Sequence, residues 1–222
     1  IKIYLYLFIF LFISSIFNNT FIAKLNYISE IKNIDIEGLG NKEENNLREK
    51  LKILENNNIF FIKKKEIEKI LSIFNFLDNF YIQKVLPSKL IVYGKKTTFL
   101  GITIVDGKRY YIGSNGKLTP VNQVAKEQNL PLVFGKFSVN EFINLQNLLI
   151  KENFDLKKIK KYFFHKSKRW DLIDENGVML MLPFKNIESS LEIYRNLNES
   201  SMLNSVNIID LRISNNIVLT YE

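Results

Sequence analysis

The chain opens with a nearly unbroken run of apolar residues and then changes to short segments of alternating or helically spaced apolar positions. Residues 3–17 read IYLYLFIFLFISSIF. A helix needs about 20 apolar residues to cross the hydrocarbon core of a bilayer, so this run is a few residues short. Because the chain begins at Ile1 without a methionine, we expect further residues before it. We interpret residues 1–22 as a transmembrane signal anchor.

A cleaved signal peptide is the alternative for this segment, since its apolar region is about 7–15 residues long and ends at a small-x-small site. The following stretch, NNTFIAKLNY, offers only Ala23, with Phe21 two positions before it. That is a poor cleavage site. We therefore favour an uncleaved anchor, with Lys2 on the cytoplasmic side and everything after Phe17 exported.

Residues 29–97 predict a strand, two helices and two further strands. Ile34 and Ile36 alternate with polar neighbours, which indicates a strand. Asn41 and Glu44 have the spacing of a capping box at the start of the first helix. The two strands at the end flank the turn Pro87-Ser88. The helices carry apolar residues on one face, at Leu47, Leu51 and Leu54 and at Ile67, Ile70, Leu71 and Phe74.

Residues 98–222 predict a larger, β-rich domain with two helices, so that the fold class is α+β. Asp106-Gly107 is a strong hairpin dipeptide, and Glu175-Asn176-Gly177 predicts a second hairpin. NLPLVFG, residues 129–135, has no clear periodicity and is interpreted as a connector. The remaining elements are a helix capped by Ser138 and Glu141, a helix over residues 187–197, and closing strands over residues 206–213 and 217–221.

Composition narrows the possible functions. The net charge is +8, with 46% hydrophobic and 24% charged residues, which suits a folded protein with a basic surface. The lysines form short clusters such as residues 63–65 rather than one tract. No nucleic-acid-binding module is recognisable, so we interpret the clusters as solvated faces. The absence of cysteine excludes disulfides and thiolate metal sites.

Candidate catalytic residues are few. His165 is the only histidine, and a zinc site would need carboxylates for its other ligands. Asp171, Asp174 and Glu175 could suggest a glycosidase acid pair, but they fall on a predicted strand and its turn. Trp170 is interpreted as a core anchor. The sequence therefore predicts no catalytic residue, metal, cofactor or small-molecule substrate.

Five phrases, in order along nearly the whole chain, resemble the FtsQ/DivIB family of bacterial cell-division proteins. They are IKNIDIEGLGN, FYIQKVLPSKLIVYGKKTTFLGI, LPLVFG, KRWDLIDENGVMLMLP and IIDLRI. The resemblance implies a membrane helix, a POTRA domain of β-α-α-β-β order over residues 29–97, and an FtsQ-type β domain over residues 98–222. It also implies a non-enzymatic scaffold of the divisome at the division septum, in which the POTRA domain helps to recruit the protein.

The same resemblance implies a partner-binding site in the last strands, where the family binds the periplasmic FtsB–FtsL coiled coil and links early to late division proteins. Arg212 matches the family's basic residue, which would pair with a partner carboxylate. We expect the partner to add a strand beside the last one, since an uncovered edge is an aggregation hazard. A tail after Glu222 that covers this edge is the alternative. The expected site comprises Arg212, Ile213, Ile217, Val218, Leu219, Thr220 and Tyr221.

Two other functions remain open at this point. A POTRA-type chaperone or assembly factor for envelope proteins would share the first domain, although transporters of that class carry serial POTRA repeats and a long barrel. An envelope enzyme acting on cell-wall glycan would need an acid pair or a nucleophile with its base.

Overall fold

The structure is a computed structural model that describes residues 2–16, 24, 27–198, 206–213 and 216–221. The chain divides into two compact units, Ile1–Lys96 and Thr97–Glu222.

The first helix, α1 (Lys2–Ile16), is apolar on all sides and exposes its side chains from Ile3 to Ser14. It has 15 residues. Within the described ranges, no helix combines the length and the apolar character needed to span a bilayer. Residues 17–22 of the predicted anchor lie outside the described part of the chain.

The remainder of the first unit has the predicted β-α-α-β-β order. Its three-stranded sheet has the order β1-β3-β2, with β1 parallel and β2 antiparallel to β3. Leu47, Leu51, Ile67 and Leu71 are fully buried, so both helices bury one apolar face in the core of the unit. The elements are β1 (Asn33–Glu37), α2 (Asn41–Leu51) with a 3₁₀ turn (Lys52–Leu54), α3 (Lys64–Leu71), β2 (Leu77–Val85) and β3 (Lys89–Lys96).

The predicted capping box at Asn41 and Glu44 is wrong. The residue before the helix is Gly40, which makes no side-chain cap, and its carbonyl accepts the Glu44 N–H at 2.9 Å. The Glu44 carboxylate accepts instead from Arg48, one turn along the helix, at 2.7 Å. Asn41 is thus the first helical residue, and Glu44 stabilises the helix through an i,i+4 ion pair.

The second unit is built on a nine-stranded sheet with the order β12-β11-β10-β9-β8-β7-β4-β5-β6. In the described part of this unit, two helices and two 3₁₀ turns complete it. The elements are β4 (Phe99–Val105), β5 (Lys108–Gly113), β6 (Leu118–Pro120), a 3₁₀ turn (Val121–Gln123), β7 (Leu132–Phe134), α4 (Val139–Lys151), a 3₁₀ turn (Leu156–Lys158), β8 (Ile159–Phe164), β9 (Trp170–Asp174), β10 (Met179–Met181), α5 (Ile187–Asn198), β11 (Val206–Asp210) and β12 (Val218–Tyr221).

The segment interpreted as a connector, residues 129–135, contains a central strand of the sheet. β7 lies between β4 and β8 and is parallel to both. Only three residues pair, which is too short for a strand pattern to be recognisable in the sequence.

One face of the sheet forms the core. Successive strands from β7 to β12 place apolar residues directly opposite one another, and α4 and α5 pack on the same cluster. Trp170 is 4% exposed and contacts the rings of Phe137, Phe142 and Phe164, which confirms its prediction as a core anchor. The row in register comprises Val133, Tyr162, Leu172, Leu180, Ile209 and Leu219.

Several predicted turns and caps are confirmed. Asp106 and Gly107, both at positive φ, join β4 to β5 in a two-residue hairpin. Ser138 and Glu141 form a complete capping box at the start of α4.

Candidate functional site at the C-terminal edge

The predicted site lies on the outermost strand of the nine-stranded sheet. Among the residues that the structure describes, β12 pairs only with β11, in antiparallel register, with Leu219 opposite Ile209 and Val218 opposite Asp210. Alternate backbone groups of an edge strand point away from the sheet, so its outer side can accept another strand. The order of strands therefore provides an edge at the residues where the sequence predicted one.

The side chains of the predicted site differ in exposure, and Tyr221 has the parity of Ile217 and Leu219, whereas Val218 and Thr220 have that of the other face. Ile217 and Leu219 are partly buried and pack on the core. Val218 and Tyr221 are exposed, Tyr221 by 54%. Leu219 consequently supports the fold as well as the edge, whereas Tyr221 is available for contact at little structural cost.

Arg212 is already bound within the chain. Its Nε donates to Asp210 Oδ1 at 2.8 Å, and a second guanidinium nitrogen donates to Oδ2. These hydrogen bonds hold the pKa of Asp210 below its ordinary value and raise the pKa of Arg212. A partner carboxylate must therefore use the remaining N–H groups of Arg212 or compete with Asp210.

The same aspartate ends β11 earlier than the sequence predicted. Asp210 Oδ1 also accepts the backbone N–H of Arg212 at 3.0 Å, which turns the chain after residue 210. Ile213 lies beyond the strand and is exposed. The predicted strand over residues 206–213 is thus too long by three residues.

A charged band crosses the sheet beside this site, on the face opposite the core row. Asp171 and Asp210 both lie in register with Met181, one on each side of it. Asp171 is buried, and its Oδ2 lies 2.6 Å from His165 Nε2, at hydrogen-bond distance, while Arg169 Nε lies 3.5 Å from its other oxygen. His165 therefore belongs to a polar cluster at the end of β8.

The carboxylates considered for glycan hydrolysis do not converge. Asp171 and Asp174 are three positions apart on β9, and their side chains point to opposite faces of the sheet. Asp174 accepts the backbone N–H groups of Asn176 and Val178, each at 2.9 Å, and so forms the hairpin turn. Glu175 lies 3.8 Å from Lys160. Among the described residues, no group of three histidine or carboxylate side chains could hold a metal ion.

The opposite edge of the same sheet is built differently. β6 has three residues and ends at Pro120, which lacks an N–H for pairing. Short length and proline are devices that protect an edge from unwanted strand addition. β12, of four residues, contains no proline and carries Val218 and Tyr221 on exposed positions.

Comparison with known proteins identifies the family. The sequence model described as "Cell division protein FtsQ/DivIB, C-terminal" matches residues 102–212. A second model, "POTRA domain, FtsQ-type", matches residues 29–93. The chain belongs to the FtsQ/DivIB family of cell division proteins.

Individual FtsQ/DivIB relatives show the extent of the likeness. The chain is 28% identical over 198 residues to cell division protein DivIB of Clostridium botulinum, which covers 89% of this chain and 66% of the relative. It is 25% identical over 188 residues to FtsQ of Rickettsia bellii, covering 84% of this chain and 70% of that protein. Across the curated relatives that it matches, the chain spans 47% to 70% of their length.

The major extracytoplasmic domain of DivIB from Geobacillus stearothermophilus is a similar solved structure. The TM-score is 0.34 at 11% identity, and the match covers 50% of this chain and 98% of that one.

Within this FtsQ/DivIB chain, sequence reasoning found the edge but missed Asp210 as the partner of Arg212. The spacing Asp-x-Arg was a usable signal, because an aspartate side chain can accept the backbone N–H two residues on, which brings that residue beside it. His165 and Asp171 were also considered separately, although they are in contact.

Proposed function

We propose that this chain is a non-enzymatic, bitopic scaffold of the divisome that binds the periplasmic FtsB–FtsL coiled coil by strand addition at β12. The observation that carries this proposal is the exposed edge of β12, with apolar residues on it and no proline in it. The membership of the FtsQ/DivIB family supports a role in cell division. The proposal assigns partner contact to Arg212, Ile213 and residues 217–221.

The dimensions of β12 limit the size of the contact. Its four residues extend over about 13 Å, which matches a partner strand of similar length. Each new backbone hydrogen bond contributes about 0.5–1.5 kcal/mol, so the ladder alone gives modest affinity. Tyr221 and Val218 add apolar contact, and Arg212 adds charge recognition at the end of the strand.

The proposed partner carboxylate approaches Arg212 from its exposed side. The Arg212 side chain is 41% exposed, whereas Asp210 is 16% exposed. Two guanidinium nitrogens face Asp210, which leaves donors on the exposed side for a second carboxylate. Arg212 thus joins its own strand to the partner while it remains paired.

The remaining parts of the chain have separate proposed roles. Residues 29–97 form the POTRA domain and recruit the protein to the septum, and residues 98–222 form the partner-binding β domain. α1 belongs to the signal anchor of residues 1–22, which holds the chain in the inner membrane. Its apolar side chains on every side support this role, since water is a poor solvent for such a helix.

The decisive experiment compares two tyrosines of similar exposure. Tyr221 is 54% exposed on β12, and Tyr81 is 59% exposed on β2 in the first unit. The full chain with Tyr221→Lys should bind an FtsB–FtsL complex at least several-fold more weakly, while Tyr81→Lys should bind like the parent. Equal affinity of all three proteins would refute strand addition at β12. Thermal unfolding of each variant serves as the folding control.

A localisation experiment tests the role of the POTRA domain. A fluorescent fusion without residues 29–97 should fail to accumulate at midcell, whereas the intact fusion should form a ring there. Filamentation on depletion would support the division role. Midcell rings formed by the truncated fusion would reject recruitment through this domain.

A further inference from the structure

Two neighbouring phenylalanines are exposed on the loop between the 3₁₀ turn and α3. Phe60 is 59% exposed and Phe61 is 78% exposed. Three consecutive lysines, residues 63–65, follow after Ile62 and are exposed as well. Large aromatic side chains in water are unfavourable unless they contact another apolar phase.

The backbone of this loop is held so that both rings face outward. Ile59 is fully buried and Ile62 is 7% exposed, so both flanking isoleucines fix the loop to the core. Between them, the Phe60 N–H donates to Asn58 Oδ1 at 3.0 Å, and the Phe61 N–H donates to the Asn58 carbonyl at 3.1 Å. These bonds form a tight turn at Asn58. The outward position of Phe60 and Phe61 is therefore a property of a fixed backbone.

This loop is hydrogen-bonded to the segment that follows α1 in the chain. The Ile59 N–H donates to the Ser29 carbonyl at 2.9 Å, and the Ile31 N–H donates to the Asn57 carbonyl at 3.0 Å. Residues 17–26 join α1 to that segment, and at roughly 3.5 Å per residue they reach at most about 40 Å. The loop thus lies close to the point where the unit attaches to the apolar N-terminal segment.

The segment that connects the unit to α1 also exposes apolar side chains close to a lysine. Tyr27 and Ile28 are exposed, and the Lys32 ammonium lies 4.0 Å from the centre of the Tyr27 ring. Aromatic rings next to lysines are typical of protein surfaces at the boundary between water and lipid, because the ring enters the boundary and the ammonium stays with the headgroups.

We infer that Phe60, Phe61 and residues 63–65 form a docking surface for an anionic lipid bilayer. The rings insert at the headgroup boundary, and the three ammonium groups pair with anionic headgroups. This inference rests on the proposed anchoring of the chain, which places the first unit beside the bilayer. Docking would fix the orientation of that unit on the membrane instead of leaving it to move on its connecting segment.

Tryptophan fluorescence in vesicles tests this surface with the full chain. Phe60→Trp places a reporter on the loop, and Tyr81→Trp places one at a site of equal exposure on β2. Trp170, the only natural tryptophan, is 4% exposed and supplies the baseline. Each protein is reconstituted into vesicles of phosphatidylcholine and phosphatidylglycerol that carry brominated acyl chains, which quench tryptophan on contact.

The expected result is a loss of fluorescence for the Phe60→Trp protein that is several-fold larger than for the Tyr81→Trp protein. The loss should shrink in a variant in which Lys63, Lys64 and Lys65 are all replaced by Glu. It should also shrink at about 1 M salt, where the screening length is roughly 3 Å.

Equal, baseline quenching of both reporters in protein that floats with the vesicles would overturn the docking surface and leave the anchoring intact. Failure of the parent chain to float with the vesicles would overturn both. Strong quenching of the loop reporter that is unchanged in phosphatidylcholine alone and after the lysine substitutions would overturn the assignment to anionic lipid. Far-ultraviolet circular dichroism of each variant confirms that it is folded.

Discussion

The guanidinium of Arg212 donates two hydrogen bonds to the carboxylate of Asp210, two residues earlier in the chain. The pair lies at the end of β11, next to β12, whose other side is the exposed edge. The pair therefore has two roles that the sequence alone does not connect: it ends the strand β11, and it holds the arginine that is proposed to bind a partner. Replacement of Arg212 by Glu would place two carboxylates side by side, so Ala is the cleaner substitution for isolating its role.

Asp210→Asn should reduce the stability of the fold in a pH-dependent manner. The pKa of Asp210 lies below its ordinary value of 3.8 because Arg212 binds the carboxylate form. A lowered pKa in the folded state contributes stability that is present above pH 3.8 and is lost as the pH falls through the folded-state pKa. The difference in urea midpoint between the parent and Asp210→Asn should therefore be largest near neutral pH and shrink in acid. A difference that does not depend on pH would contradict this linkage.

Asp210→Asn and Arg212→Ala should have opposite effects on partner binding. Removal of the carboxylate leaves Arg212 free for a partner, so Asp210→Asn should tighten the FtsB–FtsL complex. Arg212→Ala should weaken it by about tenfold, since a hydrogen bond to a charged group is worth about 1.5 kcal/mol. Titration calorimetry of both variants would measure this. If both weaken binding alike, Arg212 acts only within its own chain.

Phe142→Ala should destabilise the second unit by about 3–5 kcal/mol. Phe142 is fully buried, and its ring contacts Tyr162 edge-on at a centroid distance of 5.1 Å. The substitution leaves a cavity between α4 and the sheet. Ile104→Ala, at an exposed site on β4, is the control and should change the unfolding free energy by less than about 0.5 kcal/mol. Chemical denaturation of both variants gives the comparison.

Gly135→Ala should be more harmful than Gly177→Ala, although both glycines have positive φ, of 108° and 87°. A Cβ at position 177 would meet no atom within 4 Å, so its cost is backbone strain of about 1 kcal/mol. A Cβ at position 135 would collide with the carbonyl group of Phe164. The difference between the two unfolding free energies measures how closely the chain after β7 approaches β8. Equal losses would show that this approach adjusts without cost.

Local patterns in the sequence predicted most elements of the fold. Alternation of apolar and polar residues predicted the strands that bury one face. Apolar residues at helical spacing predicted α2 and α3 in the first unit and α4 and α5 in the second. Asp106-Gly107 predicted its hairpin because few dipeptides tolerate two positive φ angles in succession. The residues that carry each of these signals lie within a few positions of each other in the chain, so the interactions that they report are local.

The largest error concerns a feature that depends on distant residues. β7 pairs through three residues with two parallel neighbours, so nothing within residues 129–135 shows its central position. The false capping box at Asn41 arose because Glu44 binds Arg48 instead of the helix start. At the candidate site, alternation predicted the last strand, whereas its place at the edge of the sheet and the contact between His165 and Asp171 follow from the pairing of strands.

The brevity of β7 has a consequence for how this sheet forms. In the sheet of the described residues, β7 joins two blocks, β4–β6 and β8–β12, and it pairs with β4 at two positions and with β8 at three. β4–β6 and β8–β10 can assemble from hairpins that are close in sequence, whereas β7, like β11 beside β10, pairs in parallel with a more distant segment, which has a larger loop-closure entropy. The last cooperative step of folding is therefore expected at β7, and transient opening of the native sheet should begin there, between two blocks that each remain folded.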